Sequence, residues 1–185
     1  MSSPGAWDVP RPGWTCAECG FAFDDVEPTS VPESIAKTGK RVRAPLTRGL
    51  PNEDLLAVLR AKPDADVWSA LEYACHIRDA MLLNVERVNA ILVEDRLTFE
   101  RFSVDQAATD RDYNGQDPSA VADAIEAAAA ELSTAFGAVP ADGWDRAFVR
   151  GDLVFSLDWM ARNVQHEMDH HLLDIGRTMR HVRGR

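Results

Sequence analysis

Val164-Gln165-His166-Glu167-Met168-Asp169-His170-His171-Leu172 admits two readings, and they lead to different folds. Read as His166-Glu167-x-x-His170, it is the zinc-binding helix of a metallopeptidase. Read as Glu167-x-x-x-His171, it is one wall of a helical bundle with a carboxylate and an imidazole turned inward. A helix advances about 100° per residue, which separates the two readings. With Val164 at zero, Leu157, Met160, Ala161, Met168, Leu172, Ile175 and Met179 all fall between roughly −40° and +80°. His171 lies inside this apolar stripe and Glu167 on its edge, whereas His166 and His170 lie on the far side with Trp159, Asn163 and Arg177. Both pairs have the i,i+4 spacing that lets one helix face hold one metal. Only Glu167 and His171 point into the bundle.

The peptidase reading also fails on context. Only fifteen residues follow His170, too few for a downstream ligand. The metzincin extension needs glycine at position 173 and histidine at 176, where the chain has Leu173 and Gly176.

Working outward, the remaining chain supplies helices. Ser156 or a neighbour caps the last one, which reaches about Arg180 and ends in basic residues that suit its dipole. Asp117-Pro118 is a cap followed by a first-turn proline, and this helix runs through an alanine-rich stretch to Phe136 and Gly137. Ser69-Ala70-Leu71-Glu72 is a capping box, with Trp68 placed as its hydrophobic staple. The helix it opens extends to about Glu94 and is apolar round most of its circumference, so it belongs centrally. Ser30 and Pro32 start another, with Ile35, Val42 and Leu46 on one stripe and Pro45 and Gly49 closing it. A short helix covers Glu53 to Ala61. Residues 95–116 are polar and read as a long connection, and 147–155 offer at most a short extended piece. The expected fold is all-α: a four-helix bundle over residues 31–181 with an irregular N-terminal arm over 1–30. The arm carries Trp7, Trp14, Phe21 and Phe23, too many aromatics for plain disorder.

Composition limits the function. The chain has 185 residues, 45% of them hydrophobic, and a formal charge of −10. Such acidity argues against nucleic acid or an anionic membrane as partner. No apolar run reaches the length of a membrane span, and Met1-Ser2-Ser3-Pro4-Gly5 does not open a signal peptide. Three cysteines do not make a disulfide framework, so the cytoplasm is the expected compartment.

A buried carboxylate next to a buried imidazole needs a compensating partner, and a metal ion is one. His76, in the second turn of the central helix, is placed to complete a set of His76, Glu167 and His171. Two histidines and one carboxylate leave positions open for water or substrate, a catalytic rather than a closed structural pattern. Zinc, nickel and ferrous iron all suit it. Asp174, one turn beyond His171, is placed to orient that ring. Glu72 and Asp79 flank His76 and are candidates to orient it or to shuttle protons.

Trp68-Ser69-Ala70-Leu71-Glu72-Tyr73-Ala74-Cys75-His76-Ile77-Arg78-Asp79, followed by Glu167 to Ile175, resembles the DinB superfamily of metal-binding four-helix bundles over about residues 31–180. In that family a histidine on the second helix joins an i,i+4 pair on the last, and a polar residue follows the final ligand by three positions. Matching Asp174 to that residue implies the ligands His76, Glu167 and His171. Many members have histidine where Glu167 stands. Glutamate there is the variant of mycothiol-dependent maleylpyruvate isomerase and related thiol-dependent enzymes. The resemblance therefore implies a metal-dependent enzyme acting on a small molecule. A transferase or isomerase using a low-molecular-weight thiol such as mycothiol is preferred. A hydrolase comes second, and a non-catalytic metal-binding stress-response bundle, with a homodimer left open, is the other reading.

Cys16-Ala17-Glu18-Cys19-Gly20-Phe21 resembles half of a zinc knuckle. Three accounts stand: a second zinc completed by a histidine or Cys75, a redox-active dithiol, or an incomplete knuckle that only packs. Cys75 itself reads as a small core residue.

Overall fold

A computed structural model describes residues 10–100 and 103–185; Trp7 lies outside them. Four long helices form the bundle: α1 (Val31–Thr47), α3 (Ala70–Val93), α5 (Pro118–Gly137) and α6 (Leu157–Val182). Two short ones, α2 (Leu55–Arg60) and α4 (Val104–Asp110), lie in the connections. α1 and α3 each pack against both α5 and α6, so the order round the bundle is α1, α5, α3, α6.

The caps explain where the helices begin. Ser69 Oγ accepts the Glu72 N–H, and the Ser69 N–H donates back to Glu72 Oε2 at 2.7 Å. Trp68 meets Tyr73 edge to face at 5.5 Å, which is the staple. Asp117 and Ser156 accept from Ala120 and Trp159 to start α5 and α6. Leu157, Met160, Ala161, Val164, Met168, Ile175 and Met179 of α6 are all buried. Gly39, an oddity in a helix by propensity, has a packing reason: a methyl there would overlap the Ala129 side chain. The alanine-rich face of α5 and Gly39 of α1 let these two backbones approach closely.

Two segments differ from the sequence expectation. Residues 95–116 hold real structure: strand β1 (Leu97–Thr98), α4, and a 3-10 turn at Tyr113–Gly115. They fold because Tyr113 and Ala107 bury their side chains against α3. Strands β2 (Ala147–Arg150) and β3 (Leu153–Ser156) make a hairpin that pairs Phe148 with Phe155, and β1 adds parallel to β2. Gly151, with φ +60°, takes the first position of the two-residue turn, where glycine is favoured.

Residues 10–30 lie along α6. Trp159 Nε1–H donates to the Pro10 carbonyl at 2.7 Å, Arg162 to that of Phe23 at 3.0 Å, and Arg177 to that of Glu18 at 2.7 Å. Phe23 is buried. The arm thus covers the side of α6 that faces away from the bundle core.

Candidate metal centre

The capped start of α3 fixes His76 one and a half turns in, almost wholly enclosed and 5.3 Å from the Trp68 ring. α6 brings Glu167 and His171 to it. His76 Nε2 and Glu167 Oε1 are 3.0 Å apart, the two imidazoles meet edge to face at 4.9 Å, and Tyr73 stacks on His171 at 5.4 Å. One ligand atom from each of His76, Glu167 and His171 lies within 4.8 Å of the others. Donors bound to one ion at 2.0–2.2 Å sit roughly 3.5 Å apart, so small side-chain movements close the set. His76 presents Nε2 to Glu167, while its Nδ1 is enclosed without a hydrogen-bond partner, so packing against Trp68 rather than a hydrogen bond orients this ring. These residues suit a divalent ion.

Exposure is graded across the group: the side chains of His76, His171 and Glu167 are 4%, 20% and 34% exposed. The site is closed on the α3 side and reachable on the α6 side. Enclosure works to raise the Glu167 pKa. Its hydrogen bond with His76, and electrostatic attraction to His76 and then to His171, outweigh it and hold the carboxyl at about 2. Asp174 Oδ2 is 3.1 Å from His171 Nδ1. Burial works against the Asp174 charge, yet this bond and electrostatic attraction to His170, His171 and Arg177 pull its pKa below the ordinary range. A carboxylate at Nδ1 selects the tautomer that leaves Nε2 free as a ligand. Burial and the charges of Asp174, Glu18 and Glu72 push the Tyr73 phenol up to about 12, so it stays protonated.

Glu72 and Asp79 have other partners. Glu72 Oε2 is held in the capping box and Oε1 is 3.0 Å from Lys62 Nζ. Asp79 accepts from Tyr113 Oη at 2.5 Å, from Arg78 Nε at 2.7 Å and from Arg111. Burial opposes its charge, but these donors keep its pKa below the usual value. Asp79 therefore fastens the 103–116 connection to α3. Cys75 is directed at the Tyr113 carbonyl, 3.6 Å away, and burial pushes its thiol up to about 12.

Sequence reasoning placed His166 and His170 on a face away from the core. The structure sets that face beneath the arm, where one ligand atom from each of Cys16, Cys19, His166 and His170 lies within 4.8 Å of the others. Burial, then the charge of His170, lowers the His166 pKa to about 4, leaving the ring neutral.

Two hollows border these groups. A recess of about 10 Å³ beside Glu167, lined also by Ile77, Met81, Asn84 and Met168, is water-sized. A wider cleft of about 550 Å³ runs between Cys19, Phe21, Arg41, Asp169, Leu172 and Arg180.

The sequence model of the DinB superfamily matches residues 41–173. No curated protein matches the chain. Among solved structures, YfiT from Bacillus subtilis is similar at a TM-score of 0.64 and 15% identity, over 80% of this chain and 87% of that one. It is described as a probable metal-dependent hydrolase with an unusual four-helix bundle topology. At that identity the likeness shows a shared fold. No helix among the described residues is long and apolar enough to cross a membrane.

Proposed function

The chain belongs to the DinB superfamily, and from that premise we propose that it is a metal-dependent enzyme acting on a small molecule. His76, Glu167 and His171 hold a divalent ion, zinc in the first instance, with nickel or iron as alternatives. The observation that carries this reading is the convergence of two imidazoles and one carboxylate within 4.8 Å. Such an ion acidifies a thiol or water and polarises a substrate oxygen.

The chain's own residues do the rest. Asp174 fixes the tautomer and orientation of His171. Trp68 packs on the buried His76 and Tyr73 on His171, which keeps the α3 side of the site dry and strengthens electrostatic interactions there. The Tyr73 phenol, protonated at neutral pH, is a hydrogen-bond donor beside the reacting groups. Glu72, with both oxygens engaged, holds the start of α3 in place of a proton-transfer role.

The preferred nucleophile is a low-molecular-weight thiol such as mycothiol, giving a transferase or isomerase; the glutamate at position 167 supports it. A hydrolase is the second reading. The water-sized recess against Glu167 favours it, and YfiT is described in those terms.

The experiment is turnover of small electrophiles and esters by metal-loaded protein purified without an affinity tag, with and without thiols, beside Glu167→Gln and His171→Ala. Thiol-dependent turnover that both variants lose supports the first reading, and thiol-independent hydrolysis that both lose supports the second. Turnover that survives in both variants, or metal binding with none across the panel, refutes the enzyme assignment.

A further inference from the structure

The Cys-x-x-Cys arm and the outward histidine pair are not used by the proposed centre, yet the fold brings them together. The arm folds as a zinc knuckle does. The Gly20 N–H donates to the Cys16 carbonyl and the Cys16 N–H to the Phe21 carbonyl, each at 2.9 Å. Thr15 and Ala22 form an antiparallel bridge. Gly20 turns the chain at φ +76°, where a side chain would be strained. Both thiols are free.

Opposite them, His166 and His170 stand one turn apart on α6, ring to ring at 5.2 Å. Cys16 Sγ is 3.6 Å from His170 Nδ1. The other nitrogen of His170 is 3.3 Å from Asp174 and 3.6 Å from Glu18, which turns Nδ1 toward the thiols. His166 is packed between Trp14 and Phe21, each at 5.0 Å, and its Nε2 is enclosed without a partner.

We propose that Cys16, Cys19, His166 and His170 form a closed zinc site that fastens the N-terminal arm to α6. With Zn–S about 2.3 Å and Zn–N about 2.0–2.1 Å, tetrahedral donors lie roughly 3.3–3.8 Å apart. The observed set, all within 4.8 Å, needs only rotamer adjustment to reach that. The ion displaces one proton from each thiol to solvent. Two thiolates and two neutral imidazoles then balance its charge. Four protein ligands leave no open position, so the site is structural. It completes the half-knuckle with two histidines from the far end of the chain; Cys75, engaged at Tyr113, takes no part. A redox dithiol would not explain two imidazoles converging on the same point. Asp174 Oδ2 sits 3.3 Å from His170 and 3.1 Å from His171, so one carboxylate braces a histidine of each group.

The test is cobalt(II) titration of the full chain, purified without a tag, reduced, and stripped with a chelator. Thiolate ligands give sulfur-to-cobalt charge-transfer absorption in the near ultraviolet; imidazole and carboxylate ligands do not. The band is expected to saturate at one equivalent in Glu167→Gln and by two equivalents in wild type, which has both sites, and to be lost in each when zinc is added. The Cys16→Ser/Cys19→Ser variant loses the band, and His166→Ala weakens cobalt binding there by roughly tenfold or more. Should the double variant fail to fold, wild type and Glu167→Gln still decide. Two equivalents of cobalt bound to wild type without the band, cobalt bound to Glu167→Gln without it, or a band that survives in a folded double variant overturns the site.

Discussion

Replacing Asp79 by asparagine removes a carboxylate whose side chain is 2% exposed and which gathers three donors. Tyr113 Oη donates at 2.5 Å and Arg78 Nε at 2.7 Å, and Arg111 closes the group. Arg111 is about half exposed and adds little, because solvent screens it. Arg78, 15% exposed, is the partner left uncompensated. Breaking a buried pair on one side costs about 3–5 kcal/mol. The asparagine oxygen still accepts from Tyr113, so the lower end, about 3 kcal/mol, is expected. For a chain of this size that corresponds to roughly 6–12 °C in Tm. Urea unfolding of metal-loaded protein at neutral pH measures it, as a lower midpoint with an unchanged slope. The pH dependence follows from the lowered folded-state pKa. The contribution is present above the unfolded carboxyl value, near 4, and is lost as pH falls through the folded one. The gap between wild type and Asp79→Asn therefore closes in acid. Metal content stays at the wild-type level, since Asp79 faces Tyr113 and the arginines. A loss under 1 kcal/mol, or a loss of metal with unchanged stability, refutes this account of Asp79.

Other outcomes follow from the same contacts. Gly39→Ala gains up to about 1 kcal/mol of helix propensity but forces a methyl into Ala129, an overlap costing about 1–3 kcal/mol, so thermal melting is expected to fall. Ser69→Ala removes the cap of α3 and costs about 1–2 kcal/mol by urea unfolding. With its thiol pushed up to about 12, Cys75 resists iodoacetamide at pH 8 in folded protein and reacts once the chain is unfolded, as peptide mass mapping reads. Asp174→Asn weakens binding at both metal groups by about 10–100-fold, measured by competition with a chelating dye.

The long helices were legible because their signals are local. Ser69 with Glu72, Asp117 with Pro118, and Ser156 each mark a start within four residues, and the apolar stripe of α6 turned Glu167 and His171 the way the structure has them. What escaped depends on distant contacts. α4 and the two-residue β1 are too short to show periodicity; α4 is held by packing on α3 and β1 by pairing with Phe148, both distant in the chain. Asp79 is one turn from His76 and by spacing shares its task; two of its three partners, Arg111 and Tyr113, lie in a segment that reads as loop. A helical wheel divides α6 into a core face and an outer face but knows nothing of an arm folded over the latter. Cys16 and His170 are 154 positions apart, and the only sequence hint was that each half of the group was incomplete alone.

Anomalous diffraction at the zinc edge, from crystals of zinc-loaded protein, locates the ion against named side chains. The account predicts a peak enclosed by His76, Glu167 and His171 that disappears in Glu167→Ala and His171→Ala and persists in His166→Ala. Zinc-loaded crystals with no peak among those three residues, or a peak there that His166→Ala removes while Glu167→Ala keeps it, would contradict it.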